Sequence, residues 1–250
     1  MHFMVDRVLN DKRLKNIQSG EILSPDCSHF VTNNPVIQFI KATPEMYTTT
    51  GLALEEKQVQ KAVTKRQKEF RAGRHAARAA IAKLLPNNTF VDQIPILIGP
   101  SREPIFPDTI SGSISHTDSL CLAACALKNA VPSIGIDIEN NNKLDNHLFP
   151  TIYTPNEQHR LQKSDTIPNI LIFSIKESIF KCLFPFVKVY FDFLDAEITL
   201  QPETANSGQF QFELIGDNRS HLQSALPDLT FHGHYCFTEK TVFSLCFFSA

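Results

Sequence analysis

Residues 133–139 read Ser-Ile-Gly-Ile-Asp-Ile-Glu, apolar isoleucines alternating strictly with glycine and acids. That period predicts a strand, because successive side chains of a strand leave on opposite faces. Ile134, Ile136 and Ile138 then share one face, and Gly135, Asp137 and Glu139 share the other. Two carboxylates roughly 7 Å apart make half a site for a hard cation such as Mg²⁺, which takes one or two protein carboxylates plus phosphate oxygens. The glycine beside them permits close backbone approach. An edge strand with solvated acids accounts for the same alternation. Glu177 and Lys181 stand four apart in the run 173–181 and share a helix face. Such a pair is commonly a surface ion pair. In a helix this apolar it can equally supply a third carboxylate, with a lysine one turn away, for a metal-bound diphosphate. A third group is cationic: Arg71, Arg74 and Arg78 at i, i+3, i+7 follow Lys65, Arg66 and Lys68, with Glu69 almost alone as an acid. It reads as a solvated face or as a local surface for phosphates. Arg102, Ser115 and His116 add candidate phosphate contacts.

These residues need elements to hold them. The text of 54–85 is helix-forming and stops at Pro86, as two helices or as one interrupted near Gly73. Residues 94–98 predict a strand, and 112–116 and 120–127 the arms of a hairpin turned at Thr117-Asp118-Ser119. Residues 129–132 form a junction before the acidic strand. Helices are predicted around 155–163 and over 170–183, the latter stopped by Pro185, with strands through Phe212, over 231–237 and over 242–248. Short strands joined by Pro-marked loops are expected in the first fifty residues. Without regular βαβ alternation the fold class is α+β. No internal sequence repeat is visible.

The chain has 250 residues and a formal net charge of -2, which excludes a globally basic nucleic-acid binder. No apolar run approaches the roughly 20 residues of a membrane span, and the start lacks a secretory pattern, so a cytoplasmic protein is expected. The six cysteines are dispersed and read as buried free thiols, with no disulfide framework.

Four blocks in order resemble the phosphopantetheinyl transferases of the surfactin-type branch, within it the enterobactin synthase component D group. They are Lys65-Arg66 with Glu69-Phe70-Arg71-Ala72-Gly73-Arg74 and Ala77-Arg78, then Arg102-Glu103-Pro104-Ile105-Phe106-Pro107 leading to Gly112-Ser113-Ile114-Ser115-His116, then 135–139, then 173–181. The resemblance implies a monomer of two similar α+β halves, residues 1–131 and 132–250, related by a pseudo-twofold with the cleft between them. It implies Asp137, Glu139 and Glu177 as Mg²⁺ ligands, Asp137 also facing the co-substrate, and Glu177 and Lys181 as the catalytic pair. It implies coenzyme A on Arg74, Arg102, Ser115, His116 and Lys181, more loosely on Lys65 and Arg66. The partner implied is an apo peptidyl, aryl or acyl carrier domain, expected in siderophore-type nonribosomal peptide synthesis. A broad-specificity holo-acyl-carrier-protein synthase and a non-catalytic carrier-binding relative are the alternatives. An unrelated Mg²⁺-dependent nucleotide enzyme would be expected to carry a Gly-rich phosphate loop, and none is present. Phe106 stands where relatives often carry Trp.

Overall fold

The computed structural model describes residues 36–142, 144–162, 167–226 and 228–249. The loops and strands expected before residue 36, with Cys27, and the helix end at Lys163 lie outside them. The N-terminal part runs β1 (Ile37–Lys41), α1 (Pro44–Thr48), α2 (Ala53–Val59), α3 (Thr64–Leu84), the short pair β2 (Leu97–Ile98) and β3 (Pro104–Ile105), then β4 (Ile110–His116) and β5 (Cys121–Leu127). The helical text does split in two, but at residues 60–63. Gly73 lies inside α3, where a Cβ would come 2.8 Å from Ile114 Cγ2, so the missing side chain lets the helix settle on β4. Of the strand expected over 94–98, only residues 97 and 98 pair.

The C-terminal part runs β6 (Ser133–Asn140), α4 (Phe149–Ile152), α5 (Pro155–Gln162), α6 (Ile170–Val187), β7 (Ala196–Pro202), β8 (Ser207–Leu214), α7 (Arg219–Ala225), β9 (Thr230–Phe237) and β10 (Thr241–Ser249). Pro185 does not stop α6. It sits in the last turn, where its missing N–H forfeits one hydrogen bond. The helix ends instead at Lys188, left-handed at φ 52°, whose N–H bonds Phe184 O at 2.9 Å.

The strands form a three-stranded antiparallel sheet, β1-β5-β4, a five-stranded one, β6-β10-β9-β8-β7, and the ribbon β2-β3. Alternation in β5 turns Cys121, Ala123 and Cys125 toward the alanine-rich face of α3 (Ala72, Ala76, Ala77, Ala80). Leu122, Ala124 and Ala126 point the other way. There they join Ile134, Ile136 and Ile138 of β6 and Phe243, Leu245 and Phe247 of β10 in one apolar cluster shared by both sheets. The remaining core packs α6, through Leu171, Ile175, Ile179 and Cys182, onto the five-stranded sheet. Cys121, Cys125, Cys182 and Cys246 are buried free thiols as expected. Cys236 departs from that expectation and is disulfide-bonded. No helix among the described residues is long and apolar enough to cross a membrane.

Edge strands β4 and β6 meet through serines. Ser113 Oγ accepts the Ile136 N–H at 3.0 Å and Ser115 Oγ the Ile138 N–H at 3.2 Å, while Ser111 Oγ donates to Val131 O at 2.5 Å. Every second side chain of β4 thus stands in for a ladder partner. Ser113→Ala leaves the buried Ile136 N–H without its acceptor, and a loss of about 1–3 kcal/mol is expected in urea unfolding.

Candidate active site

Asp137 lies at this seam, 3% exposed. Its Oδ1 accepts Lys181 Nζ at 2.7 Å and Ser115 Oγ at 2.9 Å; Lys181 Nζ also donates to Ile136 O at 3.2 Å and lies 3.4 Å from Ser115 Oγ. The first sheet supplies the serine, the second the acid, and α6 the lysine. Asp137 Oδ2 is buried and has no hydrogen-bond partner. What approaches Gly135 is α6 itself: a Cβ there would stand 1.9 Å from Ser178 O and 2.8 Å from Cys182 N. The glycine sets how deep the helix sits, and so where Lys181 reaches.

Three acids crowd one another here. Burial, with Asp137 next and Glu177 adding, pushes the Glu139 carboxyl up to about 7, against a smaller pull from Lys181. Burial also raises Glu177, with Lys181 opposing and Asp137 adding. These oxygens fit a hard divalent cation in donor type and charge, and the bare Asp137 Oδ2 gives it a coordinating atom. As the side chains stand, no three acids, histidines or cysteines among the described residues converge on one point; Lys181 holds Asp137 instead. A raised acid binds its proton more tightly folded than unfolded, so this group's effect is to lower stability as pH rises from about 4.5 through about 7. Without metal, Glu139→Gln is therefore expected to unfold at higher temperature than wild type at pH 8 and alongside it at pH 4. Half-buried, the group contributes on the order of 1 kcal/mol after solvent screening, or about 2–4 °C in Tm by calorimetry.

Glu177 and Lys181 open onto a cavity of about 410 Å³ whose wall includes Arg102, Phe106, Gly112, Ser113 and Phe184. Arg102 is exposed and held left-handed at φ 69° in the turn closed by Gly99. Phe106 lies over Gly112, where a Cβ would meet its ring at 2.5 Å. Glu177 also borders a smaller cavity of about 180 Å³, with Phe180, Tyr190 and Phe191.

The cations divide. Arg66 Nη1 lies 2.9 Å from His116 Nε2, and Glu69 stands 3.9 Å from both side chains. Burial lowers the His116 affinity for a proton, Arg66 and Lys181 adding to the effect and Glu69 opposing it. Lys65 pairs with Asp118 at the surface. Arg74 is 7% exposed, its Nε donating to Ile96 O at 3.0 Å and its guanidinium 4.0 Å over the Phe70 ring, and burial holds it down to about 10. The stripe read from α3 is not the open cationic surface its spacing allowed. Arg71 bonds Glu56 and Arg78 bonds Glu55, acids that arrive from α2 rather than from the helix itself. Ser111 and Ser113 went unread as functional, although their period-2 recurrence with Ser115 was visible in the chain.

Residues 54–126 match the 4'-phosphopantetheinyl transferase N-terminal domain, and residues 133–238 match the 4'-phosphopantetheinyl transferase superfamily. The chain belongs to this family. It is 30% identical to the 4'-phosphopantetheinyl transferase Npt of Nocardia iowensis, over 74% of this chain and 83% of that one. It is 32% identical to PptT of Mycobacterium tuberculosis, over 74% and 81%. Enterobactin synthase component D of Escherichia coli (strain K12) is 30% identical, over 76% and 81%. The protein is thus an enzyme, a transferase of the 4'-phosphopantetheinyl class, and the two matched regions meet across the β5–β6 junction.

Proposed function

We propose that this transferase moves the phosphopantetheine arm of coenzyme A to a serine of an apo carrier domain, with Mg²⁺ on Asp137, Glu139 and Glu177. The observation that carries the reading is the buried Asp137, one oxygen held by Lys181 and Ser115 and the other bare, among acids whose proton affinity is raised. The carrier serine oxygen forms a bond to the pantetheine-side phosphorus, the bond from that phosphorus to the bridging oxygen breaks, and the doubly phosphorylated adenosine leaves. Mg²⁺ neutralises and aligns the diphosphate when bound. Glu177, at the edge of both cavities, takes the serine proton. Lys181 spreads charge on the leaving phosphate. Arg102, Arg66 and His116 take coenzyme A phosphates, with Ser115 beside them and Lys65 at the rim; Arg74, buried against Phe70, adds its positive charge from behind that ring.

We divide the chain at 131/132, in keeping with the two family matches and two sheets, as halves related by a pseudo-twofold. One chain supplies groups from both halves, which supports a monomer. The likeness to enterobactin synthase component D favours peptidyl or aryl carrier domains of siderophore synthesis. Loading of an apo carrier by the purified chain tests the reading. Within it, Arg102→Ala should raise KM for coenzyme A about tenfold with kcat nearly unchanged, read from steady-state kinetics.

A further inference from the structure

The two parts of the chain contain one buried device twice. Glu55, third residue of α2, accepts the Leu52 N–H at Oε2 (3.1 Å) and the Ile96 N–H at Oε1 (2.9 Å), and Arg78 from α3 lies 2.5 Å from Oε1. Glu157, third residue of α5, accepts the Thr154 N–H at Oε2 (2.8 Å) and the Ile198 N–H at Oε1 (2.7 Å), and Lys176 from α6 lies 2.7 Å from Oε2. In each case the distal backbone partner follows its glutamate by 41 residues. The carbonyl of that partner is used in both as well: Ile96 O accepts Arg74 Nε at 3.0 Å, and Ile198 O accepts Arg160 Nη2 at 2.8 Å. All four charged members of the two pairs are buried. No resemblance between the surrounding sequences announces the match.

A buried ion pair is a poor source of net stability, because desolvation offsets most of its attraction. What it fixes is geometry. An apolar helix face tolerates a small roll about the helix axis, whereas charged, directional bonds to two other segments do not. Lys176 spends all three of its donors this way, on Glu157, Ile152 O and Phe193 O, the carbonyls each at 2.8 Å. The next residue along α6 is Glu177. In the other part, the Ile96 held by Glu55 is the partner of Arg74.

We propose that the Glu157–Lys176 clamp is a positioning device for Glu177 and the Glu55–Arg78 clamp the matching device for Arg74, so that equivalent clamps govern different kinetic constants. The inference rests on the roles given above to Glu177 and Arg74. The test is steady-state kinetics of full-length variants with coenzyme A and an apo carrier domain, beside their thermal unfolding. Lys176→Met should lower kcat about 100-fold, the scale of a misplacement of about 1 Å, with KM for coenzyme A within about twofold of wild type. Lys176→Arg, which restores a cation, should recover most of that loss. Arg78→Met should raise KM for coenzyme A about tenfold and leave kcat within about twofold. Should the Met variants fail to fold, Glu157→Gln and Glu55→Gln, which keep an acceptor for one of the two backbone N–H groups, must divide in the same way. Wild-type kcat in folded Lys176→Met, or parallel losses from both clamps in proportion to the fall in Tm, would overturn the proposal. Glu177→Gln separates the two levels: full activity there removes the role given to Glu177, whereas an inactive Glu177→Gln beside a fully active Lys176→Met removes only the clamp's.

Discussion

Asp137→Asn should leave a folded chain whose transfer rate is lower by about 10²–10³-fold, the cost of removing one preorganised electrostatic group from a water-poor site. The substitution keeps the shape of the side chain and an Oδ1 able to accept from Lys181 and Ser115, the two contacts seen in the structure. It removes the charge and the lone pairs of the partnerless Oδ2. Far-UV circular dichroism should overlay wild type, and titration calorimetry should show weakened Mg²⁺ binding. Because Asp137 contributes to the raised proton affinity of Glu139, the variant's Glu139 carboxyl should titrate at lower pH, observable by NMR. Wild-type turnover in Asp137→Asn would remove the metal site from the account.

Much of this site was legible because it rests on periods. Alternation in 133–139 put Asp137 and Glu139 on one face, and β6 pairs with β10 in that register, Asp137 opposite Ser244 and Glu139 opposite Val242. Four-residue spacing put Glu177 and Lys181 on one side of α6, where both border the larger cavity. What could not be read was set between distant segments. The acids that neutralise Arg71 and Arg78 come from another helix, so counting charges along α3 overstated its field. The seam of Ser111, Ser113 and Ser115 requires knowing that β4 and β6 lie edge to edge, and nothing local says so. Pro185 does not end α6 where the chain text predicts, because Leu183 and Val187 on either side of it are buried in the core and hold the helix across the lost hydrogen bond until the left-handed Lys188 ends it.

Gly135→Ala should be strongly destabilising, since among the described glycines a Cβ at Gly135 meets its nearest neighbour at the shortest distance. The added Cβ would stand 1.9 Å from Ser178 O and 2.8 Å from Cys182 N, both backbone atoms of α6 that no side-chain rotation can withdraw. Either β6 or α6 must shift, and α6 is held by its core face and by Lys176. A loss of about 3 kcal/mol or more is expected, at the upper end for overpacking. The shift also draws Lys181 away from Asp137, so residual activity should fall even where the variant is folded. Urea unfolding and kinetics below the midpoint read the two effects separately. A neutral Gly135→Ala would mean that the helix lies farther from the strand than described.

The central claim is that a serine of a carrier domain receives phosphopantetheine from coenzyme A. The direct measurement is intact-protein mass spectrometry of an apo peptidyl carrier domain incubated with this chain, coenzyme A and Mg²⁺. A gain of one phosphopantetheine on the carrier, lost when its serine is replaced by alanine and absent with Asp137→Asn over the same time, is the predicted result. An unmodified carrier across peptidyl, aryl and acyl types, with folded enzyme and saturating coenzyme A, would contradict it.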